Sequence, residues 1–256
     1  MLYKRLLDLI LTACLLVFMP SAWAETVLVA VAANFTKPMT EIAEAFEKST
    51  DHEAKLSFGS SGKFVAQIEN GAPFEVFMAA DQENAVKLQT AGLGLADSRF
   101  TYALGKLVLW SATPGYVDEQ GEILKTGHFK HLALADPKLA PYGAAAVEVL
   151  KNLGLQEKLQ PLLVQGENIS QTHQFVSTGN AELGFVALSQ VIENGKIASG
   201  SGWIVPDDHY APIRQDAILL SKGAENPAAP ALLQFLKGPE AHAIILKYGY
   251  NLPSQP

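Results

Sequence analysis

Cysteine is almost absent from this chain: the single one, Cys14, lies in an apolar N-terminal stretch and none follows it. Everything after that stretch therefore has no disulfide framework, no thiol chemistry and no cysteine-based metal site. Basic residues are also scarce, with 19 Lys and Arg against 26 Asp and Glu and a net charge of -7. Such an acidic chain is a poor match for nucleic acid or for an anionic membrane surface. Any anion it holds must be held by local dipoles against the net field. Repeats and low-complexity linkers are lacking too, so composition marks no domain boundary. Stability must come from burial, which a chain of this length supplies as one large or two modest domains.

Residues 1–24 read as a secretory signal. Lys4 and Arg5 form the basic start, Leu9–Met19 the apolar stretch, and Ala22-Trp23-Ala24 a small-x-small cleavage site before Glu25. The stretch is short for a membrane span and ends at Pro20. Cleavage after Ala24 would leave 232 of the 256 residues; it would remove two bases and one acid, moving the net charge from -7 to -8. Leu11-Thr12-Ala13-Cys14 also resembles a lipoprotein-processing box that would lipidate Cys14. Against this, Asp8 leaves too short an apolar run before Cys14, and Leu15–Met19 is too greasy for a tether. A soluble, monomeric, periplasmic protein is the expectation.

What is present is alternation. Strand-like runs occur at Thr26–Ala32, Ala54–Phe58, Glu75–Ala80, Lys106–Ser111, Leu132–Ala135, Leu162–Gln165, Leu183–Leu188 and Gln215–Ser221. Helical patterns occur at Lys37–Lys48, Lys63–Glu69, Gln82–Thr90, Tyr142–Leu153, Gln171–Ser177, Ala228–Phe235 and Pro239–Lys247. Many of the strands are apolar throughout, as expected when helices cover both faces of a sheet. The order argues for an α/β architecture. Asp81 and Ser170 suit N-caps, Pro38 suits a first turn, and Gly71, Gly92 and Gly154 stand where helices should stop.

Two strands end in small polar residues that also open a helix: Val27–Asn34 and Ala54–Gly62. A helix start leaves backbone N–H groups unpaired and carries roughly half a positive charge. Several such starts meeting in one cleft make an anion site without Lys or Arg.

The residues around these starts carry a specific resemblance. Val31-Ala32-Ala33-Asn34-Phe35-Thr36, then Phe58-Gly59-Ser60-Ser61-Gly62, then the run Gly71–Asp81 (GAPFEVFMAAD) come in order. They are followed by Ala135-Asp136-Pro137 with Pro141-Tyr142-Gly143, by Leu183-Gly184-Phe185-Val186, and by Phe235-Leu236-Lys237-Gly238-Pro239. The series resembles the periplasmic molybdate-binding protein of an ABC importer along nearly the whole chain after the signal. The resemblance implies a two-lobed, class II periplasmic binding protein of α/β class. Each lobe would be a mostly parallel sheet flanked by helices, with the ligand in the cleft between them. Lobe one would comprise residues 25–104 and 216–256, and lobe two residues 105–215, with crossings near Gly105 and Asp216. The implied ligand is molybdate, with tungstate alongside, passed on to a membrane permease. No cofactor is implied.

The resemblance assigns the anion to Asn34, Ser61, Tyr142 and the backbone N–H of Ile169. Each also has an ordinary reading: Asn34 and Ser61 are common N-cap types, and Tyr142 after Pro141 suits ring packing. Neutral amides and hydroxyls donate hydrogen bonds without adding charge. Some relatives carry a ligand-reaching tyrosine where this chain has Ala187; others carry one where Tyr142 stands, and this chain follows the second pattern. Asp136 and Glu167 lie near these motifs and leave open a carboxylate in the cleft. That bears on the nearest rivals, receptors for sulfate, phosphate or thiosulfate, because protonated phosphate needs an acceptor.

An enzyme reading also exists. Ser60-Ser61-Gly62-Lys63 fits S-x-x-K, with Ser60 as nucleophile and Lys63 as base, and Lys125-Thr126-Gly127 supplies a K-T-G. No S-x-N or Y-x-N triplet occurs, and the K-T-G follows the serine too soon, so this reading is set aside. Lys63 reads as an exposed lysine. His128 and His131 have a metal-like spacing but no evident third ligand, and read as solvated.

Overall fold

The computed structural model describes residues 24–253; the signal residues before Ala24, Cys14 among them, lie outside the described residues. The strands are β1 (Thr26–Ala32), β2 (Glu53–Gly59), β3 (Val76–Met78), β4 (Phe100–Gly105), β5 (Leu107–Ser111) and β6 (Leu132–Ala135). They continue with β7 (Leu163–Gly166), β8 (Leu183–Ala187), β9 (Ile192–Glu193), β10 (Lys196–Ile197), β11 (Ser201–Ile204) and β12 (Ile213–Leu219). Two five-stranded sheets result, ordered β2-β1-β3-β12-β4 and β11-β5-β8-β6-β7, with β9 and β10 as a separate hairpin.

Both sheets are mixed in the same way. Three strands run parallel, β2-β1-β3 in one sheet and β7-β6-β8 in the other. The antiparallel remainder consists of the strands that carry the chain between sheets. β4 leads to β5 through Lys106 alone, and β11 leads to β12 over residues 205–212. The return thus falls ahead of the expected crossing near Asp216. β12 pairs with β4 from Ile213 onward, so Gln215 and Asp216 sit within the first sheet, at a bulge.

Strand alternation feeds a core on each face. In β1, Val27, Val29 and Val31 pack with Phe35, Met39, Ile42 and the C-terminal helices, while Ala30 faces Phe64, Val65 and Ile68. In β5, Leu107 and Leu109 face the Pro141–Asn152 helix, while Val108 and Trp110 face Val176 and Val191. β4 escaped the sequence reading because Thr101-Tyr102-Ala103-Leu104 shows no uniform apolar run; tertiary pairing with β12 and Asn251 defines it. Gly71, Gly92 and Gly154 have φ of 87°, 72° and 70°, as helix stops require. Among the described residues no helix is long and apolar enough to cross a membrane.

Candidate oxyanion site between the two sheets

Four helix starts meet where the sheets face each other. From the first sheet come the 3-10 turn Ala33–Phe35 after β1 and the helix Ser61–Glu69 after β2. From the second come the helices Pro141–Asn152 and Ile169–Ser177. They surround a narrow pocket lined by Asn34, Ser60, Ser61, Tyr142, Asn168 and Ile169 with small apolar neighbours. All four residues assigned by the resemblance line it, and they are 2%, 1%, 1% and 3% exposed in chain order. No Lys, Arg, Asp or Glu does. A larger groove runs along Thr36–Lys48 and Glu240–Tyr248, but charged side chains line it, Lys37, Glu41, Glu44, Lys48 and Glu240 among them.

Local chemistry decides what each residue offers. The Ser61 hydroxyl accepts a hydrogen bond from the Ala80 N–H at 2.9 Å, which leaves its proton to donate into the pocket. The Tyr142 hydroxyl accepts from Gln215 Nε2 at 3.1 Å and likewise keeps its proton. Burial, with Tyr250 and Tyr102 nearby, holds that hydroxyl far above the usual tyrosine range, so it stays protonated at neutral pH. Asn34 is employed differently from the sequence reading. Its Nδ2 donates to Gln215 Oε1 at 2.8 Å and to the Tyr250 hydroxyl at 2.9 Å, so both amide hydrogens are committed to the protein. What it presents is its backbone N–H in the first turn, which has no intrahelical acceptor.

Ile169 contributes through its position. The N-cap of its helix is Asn168, not the Ser170 expected from sequence: Asn168 Oδ1 accepts from the N–H groups of Ser170 and Gln171, both at 3.0 Å. The Ile169 N–H is not part of that cap. Ser170 instead donates across the cleft to the Ala33 carbonyl at 3.2 Å.

Several residues that hold the site were missed in sequence. Gln215 sits at the centre, bonded to Asn34, Tyr102 and Tyr142 and fully buried. In sequence it stands in a polar stretch, Arg214-Gln215-Asp216, that does not mark it out from its neighbours. Tyr250 bonds the Asn34 carbonyl and Ser189, and burial pushes its hydroxyl up to about 12. Gly105, where the chain leaves the first sheet, admits the network: a Cβ there would lie 2.1 Å from the Tyr142 hydroxyl. The two walls also touch directly. Gly62 N–H donates to the Leu139 carbonyl at 3.0 Å, and Lys63 pairs with Glu167 at 2.6 Å.

The remaining sequence candidates lie elsewhere. Asp136 accepts from the Lys138 N–H and Glu167 is held by Lys63, so neither carboxylate enters the pocket. The Ser60 hydroxyl has no partner, so it is not bonded to Lys63 as an S-x-x-K nucleophile would be. Lys125-Thr126-Gly127 closes a short helix, Ile123–Thr126, and does not line the pocket. Among the described residues no three His, Cys, Asp or Glu gather for a metal, His128 and His131 included.

Two sheets joined by two crossings, with helix starts gathered at the junction, define a solute-binding protein. The chain belongs to the bacterial extracellular solute-binding protein family, which matches it over residues 27–251. Within that family it is similar to the molybdate-binding protein ModA of Azotobacter vinelandii, 62% identical over 91% of this chain and 92% of that one. It is likewise similar to the molybdate-binding protein ModA of Rhodobacter capsulatus, 56% identical over 91% and 90%. The solved Azotobacter vinelandii periplasmic molybdate-binding protein superposes with a TM-score of 0.86 at 44% identity, covering 89% of this chain and 100% of that one. These relatives are binding proteins, and the chain is not an enzyme.

Proposed function

We propose that this protein is the exported receptor of an ABC importer, capturing molybdate and handing it to a membrane permease. The observation that carries the reading is a pocket lined by buried, uncharged residues where helix starts from both sheets converge. The similarity to molybdate-binding relatives over nine-tenths of the chain supports it. The contacts are the N–H groups of Asn34, Ser61 and Ile169 and the hydroxyls of Ser61 and Tyr142. Hydrogen bonds to a charged group contribute about 1.5–3 kcal/mol each. Five of them, less the cost of ordering ligand and lobes, give affinity in the range of roughly micromolar to nanomolar.

Two lobes surround the site. The first takes the residues up to Gly105 and from Ile213 onward, and the second takes Leu107–Ile204, following sheet membership. The signal-like residues 1–24, cut after Ala24, fit delivery to the periplasm as a soluble protein.

Selectivity follows from donor type and size. Phosphate near neutral pH carries a proton and needs an acceptor such as a carboxylate, and none lines the pocket. Sulfate is a dianion like molybdate, but its bonds are shorter. In a ring of fixed donors set for the larger anion, some sulfate contacts lengthen beyond the hydrogen-bonding range. Losing two of five contacts costs about 3 kcal/mol, roughly a hundredfold. Calorimetry with a panel of oxyanions tests this: molybdate and tungstate should bind within about tenfold of each other, with sulfate and phosphate at least about a hundredfold weaker. Sulfate matching molybdate in direct competition would make the protein a sulfate receptor instead.

A further inference from the structure

Among the described residues, the Ser60 hydroxyl is the one buried side-chain polar atom without a hydrogen-bond partner. Ser60 is only 3% exposed and lines the oxyanion pocket beside Ser61. It stands at the N-cap of the Ser61–Glu69 helix in an extended conformation, with φ −76° and ψ 144°. A serine there ordinarily turns its oxygen back to accept from the second or third N–H of the helix. This one does not. Its carbonyl accepts the first intrahelical bond, from Phe64 N–H at 3.1 Å, so the backbone is a regular cap while the side chain is not used as one.

Neighbouring buried hydroxyls are all satisfied. Ser61 accepts from Ala80, Ser189 donates to the Asn34 carbonyl at 2.7 Å, and Thr172 donates to the Asn168 carbonyl at 3.0 Å. A buried hydroxyl with no partner is costly, and native proteins rarely keep one without a use. Nucleophilic use is not available, because the nearby Lys63 amine is held by Glu167.

We propose that the Ser60 hydroxyl is an additional donor to the bound oxyanion, completed only when the ligand is present. The inference rests on the oxyanion-receptor reading and extends it by one side chain. It supplies the uncharged side-chain donor that Asn34, with both amide hydrogens committed to Gln215 and Tyr250, does not.

The test compares the wild-type protein with Ser60→Ala by calorimetry with sodium molybdate and by thermal melting with and without it. Loss of a hydrogen bond to a charged group should weaken molybdate about ten- to a hundredfold. The ligand-free variant should melt no lower than the wild type, since an unsatisfied hydroxyl has been removed, and the upward shift on adding molybdate should shrink. Ser60→Gly, which an N-cap tolerates, should weaken binding equally and covers the case of a poorly folded alanine variant. Unchanged affinity in a folded variant would overturn the proposal and leave Ser60 a bystander. Failure of the receptor reading is separate: it would appear as a wild-type protein that binds no molybdate. The ratio of variant to wild type would then be read with whichever oxyanion the wild type does take.

Discussion

The two helix starts that face each other across the pocket solve the same problem in opposite ways. Asn168 and Ser60 both precede a nine-residue helix and both have extended backbone. Asn168 closes its helix from within, accepting from Ser170 and Gln171. Ser60 makes no such bond, and its buried hydroxyl has no partner in the protein. On the proposed reading the first-sheet wall offers side-chain hydroxyls, from Ser60 and Ser61. The second-sheet wall, Tyr142 aside, offers backbone N–H groups on a start already stabilised by the protein. Substitutions on the first wall should thus read out mainly in affinity, and substitutions at Asn168 mainly in stability.

The largest effect expected from a single side chain on the first wall is at Ser61. Ser61→Ala removes a donor to a charged ligand, and molybdate binding should weaken by about 1.5–3 kcal/mol in calorimetry. It also strands the Ala80 N–H, so the ligand-free protein should unfold more easily as well. Unchanged affinity with lowered stability would place Ser61 on the structural side of the comparison.

Asn168→Ala should do the reverse. Loss of a side-chain N-cap costs about 1 kcal/mol of stability, within a range of roughly 0.5–2. Denaturant unfolding should show that loss in full, while molybdate affinity should fall less than in Ser61→Ala. A variant that loses affinity but no stability would mean that the Asn168 amide contacts the anion, and the contrast between the two starts would collapse.

How much of this was legible beforehand depends on the range of the interactions. The positions of β1, β6 and the Pro239–Lys247 helix were readable because apolar runs and Gly or Pro punctuation are local signals. The gathering of Asn34, Ser61, Tyr142 and Ile169 was readable only through the resemblance, since nothing local ties residues 34 and 169 together. What stayed hidden was partner choice. Ser170 and Asn168 are both good cap residues two positions apart; in the fold Asn168 makes the cap, while the Ser170 hydroxyl donates to the Ala33 carbonyl, far away in sequence. The same holds for Asn34, whose amide looks free in sequence but is claimed by Gln215 and Tyr250, some two hundred residues along the chain.

The smallest effect expected is at Lys63, which sequence placed on the open surface and the structure places against Glu167 of the opposite wall. Both side chains are nearly half exposed, 43% and 48%. Such pairs contribute about 0.2–1 kcal/mol and are screened by salt. Two roles are distinguishable. As a latch, the pair favours the closed lobes, so Lys63→Ala and Glu167→Gln should weaken molybdate by the same small factor, at most about fivefold. As a source of field, Lys63 attracts the anion while Glu167 opposes it, and Glu167→Gln should then tighten binding. The contact geometry favours the latch: the amine lies 2.6 Å from the carboxylate, and neither residue lines the pocket. Both variants should therefore lose affinity together, and the loss should fade as salt is raised. Tighter binding by Glu167→Gln at low salt would assign the pair to the field instead.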